Sequence, residues 1–278
     1  MITNLVFGGG GVRCLSYISA LKILTKYNIL NNIKLIIGTS GGAFIALLYC
    51  IGYTGQELEN IFLNFNISKY EWINEQNIYN FINTFGINNG DGITQCLSIF
   101  LKHKNIHTNI TFKELYDITK IELVISGTNL TTHCTDYFNY HTTPNMNIIL
   151  AIRISSCFPL YLIPIKYNND LYIDGGLLDN MPLYNININE YNNTLCLTTV
   201  QKHSVYDIEN NIMDYILSIY NILRHKAYSS NLNIIYFNPD ISILNFNISS
   251  HIKKICFDYS HEITLKFIVN HLLTLITK

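Results

Sequence analysis

The stretch that decides the fold is residues 33–50, Ile-Lys-Leu-Ile-Ile-Gly-Thr-Ser-Gly-Gly-Ala-Phe-Ile-Ala-Leu-Leu-Tyr-Cys. Residues 33–37 are an apolar run broken by one lysine, which predicts a strand, and the continuously apolar residues 43–50 predict a buried helix. Between them, Gly38-Thr39-Ser40-Gly41-Gly42 fits G-x-S-x-G, in which a serine sits on a sharp turn from a strand into a helix. Ser40 is therefore a candidate nucleophile, supported by Gly38, Gly41 and Gly42. An ordinary glycine and serine turn at the start of a helix is the alternative.

An earlier strand-to-helix turn precedes this one. Asn4–Phe7 is a short β-prone run, Gly8–Gly11 follows it, and residues 15–24 place apolar side chains at close to helical spacing. A glycine loop in this position points bare amide groups at one spot. That geometry suits either a phosphate or the oxyanion of an acyl-transfer intermediate.

The glycine loop does not fit the nucleotide-binding patterns. Arg13 or Cys14 stands where G-x-G-x-x-G requires its last glycine, and no Gly-Lys-Ser/Thr follows. Ser40 lies one β-α unit downstream, on what should be the neighbouring strand, so an oxyanion hole is the better interpretation. The candidate oxyanion-hole residues are three glycines: Gly9, Gly10 and Gly11.

A third glycine-rich motif follows a later strand candidate. Asp174-Gly175-Gly176 comes directly after the β-prone residues 171–173, which places a carboxylate at a strand end with glycines beside it. Taken in isolation, this tripeptide is typical of a turn. Because a nucleophile and an oxyanion loop are already present, we expect Asp174 to be a catalytic base.

The repeated order of strand, turn and helix indicates an α/β layered domain with parallel strands. Residues 55–118 predict a mostly helical insert, broken by a strong turn signal at residues 86–92. No repeat or linker marks a boundary, so we expect one domain over residues 1–278, with a C-terminal extension at 190–278. The further elements predicted are strands at 121–126, 162–165, 171–173, 195–200 and 234–237, and helices at 147–155, 212–225 and 262–276.

The three motifs, in this order, resemble the patatin-like phospholipase family. Gly9–Arg13 is similar to the family's oxyanion motif G-G-G-x-R/K-G, Gly38–Gly42 to its nucleophile elbow, and Asp174–Gly176 to its aspartate motif. The resemblance covers residues 5–182 and fades toward the C-terminus. Cys14 departs from the pattern, since the family usually has glycine there.

The resemblance implies a three-layer α/β/α patatin-like fold with a mainly parallel central sheet and a nucleophile elbow. It also implies a serine esterase that hydrolyses phospholipids or related acyl lipids with a dyad, in which Ser40 attacks the ester and Asp174 acts as general base and then acid. Arg13 would steady the glycine loop or the lipid phosphate, and an ordinary surface cation near the start of a helix is the alternative. Gly175 and Gly176 would support the aspartate.

Two other functions stay open at the level of the sequence. A carboxylesterase with a Ser-His-Asp triad is compatible with the chain order, because His203 and His225 follow Asp174. A non-catalytic lipid-binding scaffold is the second alternative, although both presumed catalytic residues are present.

Composition excludes several classes of protein. The 278 residues carry 18 basic and 19 acidic side chains for a net charge of −1, so the bulk charge of a nucleic-acid binder is absent. A hydrophobic content of 49% excludes a disordered chain. The 7 cysteines form no C-x-x-C pair, which indicates reduced thiols and a cytoplasmic protein. We find no signal peptide and no stretch that predicts a membrane-spanning helix.

The expected partners are an acyl-lipid substrate and, peripherally, a membrane surface. An aromatic region in the helical insert, Tyr70, Trp72, Tyr79 and Phe81, is a candidate lid or lipid-facing cap. Asp91 lies in a turn that lacks calcium-loop spacing, so we expect hydrolysis to need no metal or other cofactor. The sequence does not define the head group, the acyl position or an activating protein.

Overall fold

The computed structural model describes residues 1–70, 78–79, 81–200, 212–223, 228–229 and 231–276. Its strands are β1 (Asn4–Phe7), β2 (Leu35–Gly38), β3 (Gly86–Asn88), β4 (Glu122–Asn129), β5 (Cys134–Phe138), β6 (Leu160–Leu162), β7 (Ile165–Tyr167), β8 (Asp170–Asp174), β9 (Thr194–Thr199) and β10 (Asn233–Phe237). Its helices are α1 (Leu15–Lys26), α2 (Gly41–Cys50), α3 (Gly55–Asn64), α4 (Phe81–Thr84), α5 (Asp91–His103), α6 (Phe112–Thr119), α7 (Ile148–Ser155), α8 (Ile212–Leu223) and α9 (Ser250–Ile276).

The central sheet has the strand order β10-β9-β1-β2-β4-β8-β7, with β5 paired beside β4. The strands from β10 to β4 run parallel to one another, whereas β8 and β5 run antiparallel to β4. In register, Phe7 lies opposite both Gly38 and Leu197. The turns that leave β1 and β2 are therefore side by side at one edge of the sheet, where ligand sites of parallel sheets usually form.

The central strands are apolar on both faces because both faces are covered. Leu5, Val6 and Phe7 of β1 have no exposed surface. Leu5 and Phe7 face the main core, which contains α1 and α2, and Val6 faces a smaller cluster with Met181. Burying such a side chain stabilises the fold by roughly 1.5–3 kcal/mol.

The layers beside the sheet are unequal. On the main-core face, α1 packs against both α9 and α3. On the other face, the described cover includes the segment that holds Met181 and Ile186 and the short 3₁₀ segment Ile188–Asn193. The structure has the expected α/β fold class, with a mainly parallel central sheet flanked by helices.

The turn predicted at residues 86–92 and the start predicted for the last helix differ from the structure. Gly86–Asn88, expected as part of a turn, is a strand because its backbone pairs in parallel with Leu160–Leu162, a partner distant in sequence. The last helix begins at Ser250 rather than at residue 262. At this start, the Ser249 hydroxyl accepts a hydrogen bond from the Ile252 amide. Trp72 of the expected lid lies outside the described residues. Among the described residues, no helix has the length and apolarity needed to cross a membrane.

All 7 cysteines are free thiols, and Cys134 is the exposed one. Burial raises the pKa of Cys50, Cys96 and Cys196 to about 12. The reactive form of cysteine is the thiolate, so these raised pKa values keep the buried thiols neutral and unreactive well above pH 7.

We therefore expect a maleimide to modify one thiol rapidly in the native protein at pH 7, and still one at pH 9. Unfolding in denaturant should expose all of the thiols to modification. Intact mass measures the number of adducts, and Cys134→Ser should remove the native adduct. Rapid native labelling of several thiols would contradict this picture of the core.

Candidate active site

The turn between β2 and α2 places Ser40 in a strained backbone conformation. The backbone of Ser40 has φ +52° and ψ −130°, a conformation that residues other than glycine rarely adopt. A neighbouring residue stabilises this strained conformation, because the Ser40 amide donates a hydrogen bond of 2.9 Å to the Ser155 hydroxyl on α7. The hydroxyl of Ser40 is thereby presented at the N-terminus of α2, the positive end of the helix.

Gly42 allows α2 to lie directly against the end of β1. A Cβ atom at this position would come within 2.4 Å of the Gly8 carbonyl oxygen and 2.5 Å of the Phe7 carbonyl oxygen. Both contacts are with backbone, which cannot rotate away. Any side chain at residue 42 would therefore push the helix, and Ser40 with it, away from the sheet.

Asp174 lies at the end of β8 and contacts Ser40 directly. The Ser40 hydroxyl donates a hydrogen bond of 2.6 Å to Oδ2 of Asp174, whose exposed fraction is 1%. The main chain of Asp174 is fixed by a 2.9 Å bond from the Thr128 hydroxyl and by a 2.8 Å bond to the Cys157 carbonyl. The second carboxylate oxygen, Oδ1, accepts a 2.7 Å bond from the Gly176 amide. The carboxylate of Asp174 is thus held in one orientation.

The glycine loop offers two amides to the site rather than three. The Gly9 amide donates a 3.0 Å hydrogen bond to the Asn180 carbonyl, so it is already engaged. In the described part of the chain, the amides of Gly10 and Gly11 have no such partner, and both residues line the cavity that contains Ser40. Of the three glycines predicted to form the oxyanion hole, Gly10 and Gly11 therefore have amides available to a ligand in the described structure, whereas the amide of Gly9 is engaged.

Arg13 contacts the protein rather than the cavity. Its side chain has an exposed fraction of 7%, and its Nε donates a hydrogen bond to the Ile241 carbonyl. The Val12 amide next to it donates to the carbonyl of Ile243. Of the interpretations that the sequence left open for Arg13, these contacts favour steadying of the loop over a surface cation or a phosphate ligand.

The cavity at Ser40 has a volume of about 180 Å³. Ser40, Asp174, Gly10 and Gly11 line it, and most of the rest of its wall is apolar. A cavity with this lining accepts an alkyl or acyl chain and orients it by a few polar groups. The apolar residues of its wall include Phe44, Ile45, Phe62, Phe65, Ile93, Phe158, Leu162, Leu244 and Phe246.

Histidine is not among the described residues that line this cavity. The two histidines of the triad alternative, His203 and His225, lie outside the described residues. The described residues also contain no group of three or more His, Cys, Asp or Glu side chains placed to hold a metal ion.

Sequence reasoning missed three residues that touch the site. Ser155 fixes the elbow, and Asn180 holds both polar groups of Gly9, with its carbonyl on the amide and its Nδ2 3.3 Å from the carbonyl. Both lie within residues 5–182, the stretch that the resemblance covers, but neither was predicted to have a role. Tyr220 donates a hydrogen bond to Asp174 from α8, and no local pattern in that helix indicates such a contact.

A mainly parallel α/β sheet, a serine on a strand-to-helix elbow and a buried aspartate beside it define the class: a serine ester hydrolase. The model of the patatin-like phospholipase family matches residues 5–185. The chain belongs to the patatin-like phospholipase family, and its general activity is lipid acyl hydrolysis.

Relatives and solved structures agree with this assignment. A probable lipid hydrolase of Invertebrate iridescent virus 6 is 34% identical over 258 residues, which cover 91% of this chain and 83% of the relative. An uncharacterized protein of Acanthamoeba polyphaga mimivirus is 29% identical over 273 residues, covering 92% and 90%. The crystal structure of VipD from Legionella pneumophila has a TM-score of 0.63 and 19% identity over 97% of this chain and 67% of that one, which shows a shared fold.

Gly42→Ala should destabilise the protein more than Gly52→Ala does. The added methyl at Gly42 meets backbone, at a cost of about 3 kcal/mol. A methyl at Gly52 meets nothing within 4 Å and suffers only from its φ of +88°, at about 1 kcal/mol. Denaturant unfolding measures both free energies. Equal losses in the two variants would contradict the close approach of α2 to β1.

Proposed function

We propose that the chain cleaves acyl ester bonds of phospholipids or related lipids with a dyad of Ser40 and Asp174. The observation that carries this proposal is the 2.6 Å hydrogen bond from Ser40 Oγ to Asp174 Oδ2 at the end of a mainly apolar cavity. A base in direct contact with the nucleophile needs no histidine between them.

The reaction runs in two halves. Asp174 Oδ2 takes the proton of Ser40 as Oγ attacks the ester carbonyl, and the amides of Gly10 and Gly11 hold the resulting oxyanion. The tetrahedral intermediate collapses, the bond to the alcohol breaks, and Asp174 returns the proton to the leaving oxygen. Water then attacks the acyl-serine, with Asp174 again accepting and returning one proton, and free fatty acid leaves.

The same proposal assigns the chain to one patatin-like domain over residues 1–278. The C-terminal extension supports it, because β9 pairs with β1 and β10 pairs with β9 in the central sheet. The helix α9 packs on α1, the helix that follows the glycine loop. The extension is thus a part of the core that surrounds the motifs.

Ser40→Ala and Asp174→Asn should each lower hydrolysis of a soluble short-chain ester by about a thousandfold or more, because the two residues act as a unit. The double variant should be no worse than the single ones. Release of p-nitrophenol measures the rates. A phospholipid vesicle assay with mass spectrometry of the products extends the measurement to the lipid substrate.

Asp136→Asn is the matched control for the aspartate. Asp136 also accepts a tyrosine hydrogen bond, of 2.8 Å from Tyr172, and it does not line the cavity. This variant should keep the wild-type rate. Equal rates in wild type, Ser40→Ala and Asp174→Asn would overturn the proposed dyad.

We also propose that α8 contacts the lipid surface from which substrate enters. Tyr215, Ile219 and Ile222 form an exposed apolar stripe at helical spacing, with exposed fractions of 49%, 42% and 75%. The other side of the same helix is buried and reaches the cavity through Tyr220. An apolar stripe on a helix that borders the site suits shallow insertion between lipid head groups.

The double variant Ile219→Ser with Ile222→Ser should lower binding to phospholipid vesicles and hydrolysis of them by about tenfold. This factor corresponds to a loss of about 0.7 kcal/mol of binding free energy at each isoleucine, because about 1.4 kcal/mol in total is a tenfold change in affinity. The rate on a soluble short-chain ester should stay unchanged. Ile118→Ser on α6, where Ile118 is 62% exposed, serves as the matched control. Equal vesicle binding in all of these proteins would contradict the proposed contact.

A further inference from the structure

Tyr220 joins the catalytic aspartate to a part of the chain beyond the family match. It lies on α8, whereas the family model ends at residue 185. Its hydroxyl donates a 3.0 Å hydrogen bond to Asp174 Oδ1, and its exposed fraction is 4%. The ring packs against Phe158, with 4.8 Å between ring centroids. A buried hydroxyl held in this way can act only on the groups beside it.

The two oxygens of Asp174 have different partners. Oδ1 accepts from the Gly176 amide at 2.7 Å and from Tyr220 at 3.0 Å, and Oδ2 accepts from the Ser40 hydroxyl at 2.6 Å. A carboxylate oxygen has two lone pairs in its plane, so two donors fill Oδ1. The proton of Ser40 can then be taken up only at Oδ2, the oxygen that faces the nucleophile.

We propose that Tyr220 is a positioning residue of the dyad, which fixes the carboxylate of Asp174 and stabilises its ionised form. This inference rests on the proposed function. During attack, the O–H bond of Ser40 breaks and a new O–H bond forms at Oδ2, and the same proton later passes to the leaving alcohol. Tyr220 keeps its own proton throughout, so its effect is exerted through Asp174.

The ionised carboxylate depends on these donors because its surroundings are apolar. Asp174 is 1% exposed, and hydrogen bonds to the charged form are what keep a buried carboxylate ionised. Phe158, which packs on Tyr220, also lines the cavity. Without the hydroxyl of Tyr220, Asp174 should therefore bind its proton more tightly and act as a base over a narrower range of pH.

In the described residues, the thiol of Cys157 beside Asp174 does not contribute to the acidic limb of the pH–activity profile. Burial raises the pKa of the Cys157 thiol to about 11, with a smaller opposing effect from Arg153 and a small further rise from Asp174 itself. The Cys157 thiol therefore stays neutral below pH 8. The acidic limb of the activity profile thus reports on Asp174.

The test is Tyr220→Phe, which removes the hydroxyl and keeps the ring. With a soluble short-chain ester, we expect kcat to fall about tenfold with KM within twofold of wild type. We expect the acidic limb of kcat/KM to move up by about one pH unit, which corresponds to the loss of one hydrogen bond to a charged group. Tyr53→Phe is the matched control: Tyr53 is 1% exposed, and its hydroxyl donates to the Phe100 carbonyl away from the cavity.

Kinetics alone can overturn the inference. An unchanged kcat and acidic limb in Tyr220→Phe would do so, and so would a rise in KM at constant kcat, which is the signature of lost packing. The wild-type and Ser40→Ala arms decide the proposed function separately, because they do not involve Tyr220.

A double-mutant cycle based on melting temperatures tests the interaction between Tyr220 and Asp174 without measuring enzymatic activity. Tyr220→Phe should lower the melting temperature by about 3 °C in the wild-type background and by clearly less in the Asp174→Asn background, where the charged acceptor is gone. Tyr53→Phe should lower it equally in both backgrounds. Additive effects of Tyr220→Phe and Asp174→Asn would overturn the role of Tyr220, whether or not the enzyme hydrolyses lipids.

Discussion

The hydrogen bond between Ser40 and Asp174 joins two residues 134 positions apart, and the rest of the site is arranged around it. A 2.6 Å contact requires the ends of β2 and β8 to be fixed within a fraction of an ångström. The sheet provides this fixation, since β4 pairs in parallel with β2 and antiparallel with β8. The edge formed by these strands is rigid because both faces of the central strands are packed.

The site also contains two unfavourable features that neighbouring residues compensate: a strained backbone and a buried carboxylate. Ser40 occupies a strained backbone conformation, and its amide is satisfied by Ser155 on α7. Asp174 is a buried carboxylate, and its hydrogen bonds come from the serine, the Gly176 amide and Tyr220. Strain and buried charge are tolerated at functional sites when the surrounding structure determines the geometry from several directions.

Residues late in the chain take a large part in this support. Asn180 engages the amide of Gly9, and the carbonyls of Ile241 and Ile243 accept hydrogen bonds from Arg13 and Val12, which directly follow the glycine loop. Tyr220 reaches Asp174 from α8, a helix whose opposite side carries exposed isoleucines. We propose that the motifs supply the reacting groups and that the extension holds them in place at the lipid-facing side.

By itself, the sequence predicted the fold class, because an elbow and a glycine loop need glycine at fixed local spacing. Its resemblance to the patatin-like family predicted the contact between Ser40 and Asp174. The parallel order of β1 and β2 followed from the same β-turn-α repeats. Only the tertiary structure decided that Gly9 is engaged, that Gly86–Asn88 is a strand and that Tyr220 reaches Asp174. Each of these depends on a partner far away in sequence. A local sequence pattern does not predict which distant backbone group or hydroxyl will form a hydrogen bond with a given residue.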